Sequence, residues 1–100
     1  MLVLLLLTEQ ESYGYELVTR LQADGLTDIA TGTVYPVLTR LERDGLIASR
    51  LVASSSGPAR KYYRPTGPGD AHLADAVRGW TDLERTVRTV LDRTTPQEEP

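Results

Sequence analysis

The sequence predicts a mainly α fold with one small β-hairpin, and three observations predict it. Apolar residues recur at helical spacing in three segments before residue 45. Two β-leaning runs then flank a turn rich in Ser, Gly and Pro, and a single long amphipathic stretch follows. One hundred residues at 40% apolar composition support one compact core of modest size, so pairing with a second copy is a natural source of added stability.

Taken in order, residues 2–8 read as a buried helix. The run Met1 to Leu7 is far shorter than the roughly 20 apolar residues that span a bilayer. It also lacks a basic leader and a small-residue cleavage site, so the expectation is a cytoplasmic protein with no membrane contact. Ser12 is the expected N-cap of a second helix over about 13–24, which carries Leu17, Val18 and Leu21 on one face and ends at Asp24-Gly25. Thr31 is the expected N-cap of a third helix, which stops at Gly45. Leu46 to Ala53 and Arg60 to Arg64 read as two strands, joined by the polar loop Ser54 to Ala59. Pro65 cannot donate to a strand ladder, so the second strand should end there. From about Asp70 to Arg93 the pattern is helical, with Leu73, Val77, Trp80, Leu83, Val87 and Val90 forming one stripe. Helix, helix and hairpin in this order describe a winged helix-turn-helix. The expected organisation is a head over residues 1–66, a dimerisation helix over 67–94 and a disordered tail over 95–100. A helix of about 24 residues is about 36 Å long, more than such a head can cover, and this points to self-association.

Several chemistries are excluded. The chain has no cysteine and one histidine, His72, so disulfides, thiolate chemistry and paired-histidine metal sites are out, and no cofactor is expected. No nucleophile, base and orienting group can be placed together, so the chain is not read as an enzyme. The net charge of −3 looks wrong for a nucleic-acid binder until its distribution is examined. Residues 1–39 set Arg20 against Glu9, Glu11, Glu16, Asp24 and Asp28. Residues 40–66 set Arg40, Arg43, Arg50, Arg60, Lys61 and Arg64 against Glu42 and Asp44. A basic middle between acidic ends is compatible with local phosphate contact, because the field that matters is the one at the contacting face.

The third helix, placed on a 3.6-residue period, separates two faces. Val34, Leu38 and Leu41 point inward with Val37 at their margin. Gly32, Pro36, Thr39 and Arg43 point outward, flanked by Thr33, Tyr35 and Arg40. Short side chains near the start and guanidinium groups near the end suit a helix whose N-terminal half enters a major groove. Arg60 and Lys61, beside Gly57-Pro58, place two cations at the base of the hairpin tip, where a wing could follow a phosphate backbone. Strand alternation turns these two cations opposite ways. Each of these residues also has a plainer role open to it: surface threonines, a tyrosine packed on the second helix, arginines paired with neighbouring carboxylates, or a solvated hairpin.

These motifs together resemble the PadR family of bacterial winged-helix regulators. The resemblance is carried by Tyr13-Gly14-Tyr15-Glu16-Leu17, Thr31 to Leu38 (TGTVYPVL), Arg40 to Ile47 (RLERDGLI) and Gly57-Pro58 with Arg60 to Arg64. It is closest to the short subfamily with a single C-terminal helix, whose members dimerise through that helix and include multidrug-sensing repressors. It implies a dimeric repressor that binds double-stranded DNA at an inverted-repeat operator and is released by a small molecule. It further implies that Thr33, Tyr35, Pro36, Thr39 and Arg40 lie at the groove, that Tyr13 and Tyr15 lie near the DNA backbone, and that Arg60 and Lys61 belong to the wing. Tyr62 and Tyr63 would hold the hairpin on the head. In a drug-sensing member a tryptophan similar to Trp80 lines a flat pore between subunits. With Glu84 one turn on, an indole face and a carboxylate would suit a planar aromatic or phenolic effector, above all a planar cation. The sequence departs from the family pattern at Pro65, where an aliphatic residue is usual, and in the roughly ten residues that usually precede the segment equivalent to Leu2. The rival reading is a winged-helix protein-interaction module without DNA binding, which would have no need of Arg60 and Lys61.

Overall fold

In a computed structural model the chain is described over residues 1–94, so the tail expected to be disordered lies outside the described residues. The elements are α1 (Leu2–Glu9), β1 (Ser12–Tyr13), α2 (Gly14–Ala23), α3 (Thr31–Arg43), β2 (Ile47–Ser54), β3 (Gly57–Pro65) and α4 (Gly67–Thr94). The expected hairpin is present, but it is part of a three-stranded antiparallel sheet in the order β1-β3-β2. No helix among the described residues is long and apolar enough to cross a membrane.

The two middle helices end by the same device. Gly25 and Gly45 take positive φ angles of 129° and 76°, a region that side chains with a Cβ rarely adopt. At each end the glycine N–H and the next residue's N–H turn back onto carbonyls of the last turn: Gly25 to Gln22 and Leu26 to Leu21, then Gly45 to Glu42 and Leu46 to Leu41. The expected N-caps are corrected. The cap positions belong to Tyr13 and Ala30, neither with a side-chain cap bond, and Thr31 is already the first residue of α3. Ser12 instead sits fully buried in β1 opposite Tyr63, where its hydroxyl accepts a 2.8 Å hydrogen bond from Arg20. The same guanidinium donates to the carbonyls of Leu6 at 2.8 Å and Gln10 at 3.1 Å. It thereby adds a cation at the end of α1, where the helix dipole favours one, sharing the Leu6 carbonyl with the Gln10 N–H.

The core forms where α1, α2 and α3 meet the sheet. Leu4, Leu17, Val34, Leu38 and Ile47 are at most 2% exposed, and Tyr63 and Leu73 join them from β3 and α4. The inward face predicted for the third helix is therefore the buried one, with Val37 and Leu41 partly covered beside it. The strands run further toward the hairpin tip than expected. Ser54 pairs with Gly57, and only Ser55-Ser56 remain as the turn, so the six-residue loop is corrected to two. β3 ends at Pro65, as its missing donor requires.

The last helix starts three residues earlier than its periodicity suggested. Thr66 caps it, its Oγ1 accepting from the Gly69 N–H at 3.1 Å and donating to the Gly45 carbonyl at 2.7 Å. Leu73 is corrected from the expected dimer stripe to the chain's own core, 8% exposed. From Val77 to Thr94 every residue is exposed, and α4 extends away from the head to give a molecule 60 Å long. Val77, Trp80, Leu83, Val87, Val90 and Leu91 form an uncovered apolar stripe along it.

The joint between head and helix depends on Gly69. A Cβ there would stand 1.9 Å from the Leu46 carbonyl oxygen, a backbone atom that cannot swing aside. Gly79 lies ten residues along the same helix with nothing within 4 Å of an added Cβ. Gly69→Ala is expected to destabilise the fold by about 2 kcal/mol or more, as overpacking does. Gly79→Ala should stabilise it by about 0.5–1 kcal/mol through helix propensity. Urea unfolding of the two variants measures both; equal effects would contradict this placement of the joint.

Candidate nucleic-acid interface

Three elements converge beside the sheet. The N-terminus of α2, the first half of α3 and the outer part of β3 enclose a crevice of about 240 Å³ lined by Tyr13, Gly14, Tyr35, Ala59, Arg60, Lys61 and Tyr63. Tyr35 reaches this crevice because Gly14 leaves room for it. A Cβ at Gly14 would stand 2.6 Å from the Tyr35 ring. Tyr15, in the first turn of α2, is 62% exposed. Tyr13 is half-buried, its ring 5.3 Å from that of Tyr62 in an edge contact, and the Arg60 guanidinium lies over the Tyr13 ring, 4.6 Å from its centroid. Arg60 thus makes a cation–π contact with Tyr13 and no ion pair among the described residues.

The outward face predicted for α3 is exposed as expected: Gly32, Pro36, Thr39 and Arg43 all face solvent, as does Arg40 on its flank. The Thr39 hydroxyl donates back to the Tyr35 carbonyl at 3.1 Å, so it is partly occupied. Thr33 is exposed but does not share the crevice with Tyr35. It lines a separate apolar cleft of about 370 Å³ with Met1, Leu26, Ile29 and Val37.

Strand alternation separates Arg60 from Lys61, as predicted. Arg60 lies on the Tyr13–Tyr62 face, whereas Lys61 shares the Tyr63 face and turns toward α3. There its ammonium meets the Glu42 carboxylate at 2.7 Å. The second oxygen of Glu42 accepts from the Ser49 hydroxyl on β2. One carboxylate at the end of α3 therefore ties both strands of the wing to that helix. The hydrogen bond from Lys61, then that from Ser49, hold the Glu42 carboxyl below its usual value, while Glu42 pushes the Lys61 ammonium up. Burial raises the Tyr63 phenol.

The basic middle of the chain is more compensated than its sequence suggests. Arg50 pairs with Glu11, contributed by the acidic first third, and this hydrogen-bonded contact lowers the Glu11 carboxyl. Arg43 pairs with its neighbour Asp44 at 3.3 Å, and Lys61 with Glu42. Arg40, Arg60 and Arg64 make no ion pair among the described residues. Of these, Arg60 lines the crevice and Arg40 lies on exposed α3.

Trp80 and Glu84 lie beside Leu83, Val87, Arg88 and Leu91 in a shallow groove of about 130 Å³ formed by α4 alone. Trp80 is 52% exposed. No cluster of His, Asp and Glu suited to a metal ion occurs among the described residues. Sequence reasoning missed Gly14 and Glu42 as organisers of this surface. Gly14 stands inside the Tyr13-Gly14-Tyr15 motif, but its contact with Tyr35 spans 21 residues and leaves no local sign. Glu42 was legible only as a possible partner for nearby arginines.

Comparison with known proteins places this architecture. Residues 3–75 match the profile of the Transcriptional regulator PadR-like family. The chain is 40% identical over 81 residues to Transcriptional regulator Rv3488 of Mycobacterium tuberculosis, covering 79% of this chain and 72% of that one. Its structure resembles that of a PadR-like transcriptional regulator from Bacillus cereus, with a TM-score of 0.80 and 38% identity over 97% of this chain and 89% of that one. It likewise resembles a PadR family regulator from Eggerthella lenta, with a TM-score of 0.82 and 38% identity over 95% and 80% of the two chains. The profile spans the head from Val3 onward and the first turns of α4, and it includes every motif that carries the resemblance. The chain belongs to the PadR-like family of transcriptional regulators.

Proposed function

We propose that this chain is a homodimeric repressor that binds double-stranded DNA at an inverted-repeat operator. The observation that carries this reading is the convergence of Tyr13, Tyr35, Arg60 and the start of α2 on one crevice beside the exposed face of α3. That arrangement supports α3 in a major groove, with Pro36, Thr39 and Arg40 toward base edges and Tyr15 and Arg60 toward phosphates on either side. The protein-interaction alternative accounts for none of the cations held clear of carboxylates. Residues 1–66 act as the reading head, and residues 67–94 as the dimerisation helix.

Dimerisation follows from the stripe on α4. Six large apolar side chains from Val77 to Leu91 stand uncovered on one helix, a pattern that a second copy would bury. Two heads related by a two-fold axis would then present two copies of α3 to successive half-sites. The groove beside Trp80 and Glu84 would be closed by the partner helix, and it is our candidate for an effector site for a planar aromatic cation. Repression then requires operator binding, and an effector there would act by shifting the two heads.

Fluorescence anisotropy with a duplex from the protein's own upstream region tests the reading. Tight binding should weaken steeply between 50 and 200 mM salt, as counterion release requires. Arg60→Ala should flatten the slope of log K against log salt by about 0.9, one phosphate's share. Trp80→Glu should yield a folded monomer by sedimentation and weaken operator binding by about 100-fold or more, since the second half-site is lost. Trp80 emission should respond to some member of a panel of planar aromatic cations. A chain that ignores its upstream duplex at 50 mM salt overturns the DNA reading. A dimer unaffected by Trp80→Glu overturns the assigned interface, and an unresponsive indole removes the effector site.

A further inference from the structure

Glu42 occupies an unusual place for a carboxylate. It stands at the end of the helix proposed to read DNA, on the side turned to the wing, where phosphates would add to its negative charge. Yet it is tied on both oxygens: Lys61 of β3 donates to one at 2.7 Å, and Ser49 of β2 donates to the other. Its side chain is 32% exposed and that of Lys61 48%, so the pair sits at the rim and is open to competition from a polyanion. Lys61 also lines the crevice with Arg60 and Tyr35, and its ammonium lies 5.5 Å over the Tyr63 ring.

We infer that Glu42 is a brake on DNA affinity: it holds the Lys61 ammonium against α3, so that a phosphate gains this cation only by displacing the carboxylate. The inference rests on the DNA-binding reading and deepens it. Glu42 is a positioning residue in this account, acting through Lys61 and contributing no contact of its own. Three features favour this over a merely structural tie. First, the partner of the carboxylate is a wing cation rather than another core group. Second, Arg60, the preceding residue of β3 and turned to the opposite face over Tyr13, makes no ion pair among the described residues, so the wing keeps one cation ready and one held. Third, both donors favour the charged carboxylate, the hydrogen bond from Lys61 first and that from Ser49 second holding it below its usual value, so the tie is an ion pair rather than a neutral contact. The device would let the wing stay docked on α3 in the free protein while limiting non-specific attraction to any duplex.

The test is anisotropy on the full chain with its upstream duplex across 50–200 mM salt, comparing wild type, E42Q, K61Q and the double variant. Glutamine keeps the shape and can still accept from Ser49, but it removes the charge that holds Lys61. E42Q should bind about two- to five-fold tighter, the scale of an exposed ion pair. Its salt slope should steepen by about 0.9, the signature of one more phosphate neutralised. A merely structural role for Glu42 would not steepen that slope. The gain should vanish in the double variant, because the freed cation is then absent. A gain that survives without Lys61 would overturn the inference, as would an E42Q chain with unchanged or weaker binding and an unchanged slope. Glu42→Asp, which keeps the charge but withdraws it by one methylene, should shift the slope in the same direction and serves if E42Q does not fold. Wild type that fails to bind the duplex overturns the DNA reading itself. Wild type that binds while E42Q behaves identically overturns only the brake.

Discussion

The burial of Tyr63 in the central strand is the constraint on which the geometry of the interface depends. Its ring is 7% exposed, and its backbone is paired with Ser12 on one side and Ser49 on the other. Because side chains alternate along a strand, a register slip of one residue would expel this ring and put Tyr62 or Arg64 in its place. Once Tyr63 is inside, Lys61 must share its face and meet α3, while Arg60 and Tyr62 must turn to the opposite face and meet Tyr13. The same register brings Arg50 opposite Tyr62, within reach of Glu11. A single buried phenol thus decides which face of the sheet each of the wing's cations takes, and with it which partners that cation can reach.

This arrangement resolves the apparent conflict between an acidic chain and the anionic partner proposed for it. Net charge counts every group, but a polyanion meets only those within about one Debye length, roughly 8–10 Å at physiological salt. Carboxylates from the acidic first third, from the end of α3 and from its cap residue Asp44 pair with Arg50, Lys61 and Arg43 respectively. Arg60 remains at the crevice and Arg40 on the exposed face of α3, neither in an ion pair among the described residues. A surface of few free cations beside small outward side chains favours close approach over strong general attraction. In the proposed account, affinity then comes from the second head of a dimer rather than from charge density in one.

Much of the fold was legible because its signals are local. Gly25 and Gly45 mark helix ends through their own backbone angles, and the inward stripe of α3 follows from a 3.6-residue period. Pro65 closes β3 for want of an N–H. What was not legible depends on distant partners. β1 is two residues long and exists only because β3 lies beside it, so Ser12 reads as a cap until Tyr63 claims it. Gly67-Pro68-Gly69 looks like a poor helix start, and its reason appears only in the Leu46 carbonyl against which Gly69 must pass. Leu73 belongs by spacing to the stripe of α4 but by position to the core. Of the interface, the outward residues of α3 were readable. Their setting was not, since Gly14 to Tyr35 and Glu42 to Lys61 are contacts across elements.

The central claim is that a duplex contacts one continuous face formed by the start of α2, the outer side of α3 and the wing. Backbone amide shifts followed by nuclear magnetic resonance during titration with the upstream duplex address it directly. The account predicts the largest perturbations at Tyr13 to Glu16, Gly32 to Arg40 and Gly57 to Tyr62, with the far end of α4 little changed. Perturbations centred on the apolar cleft around Leu26 and Ile29, leaving the wing silent, would contradict it.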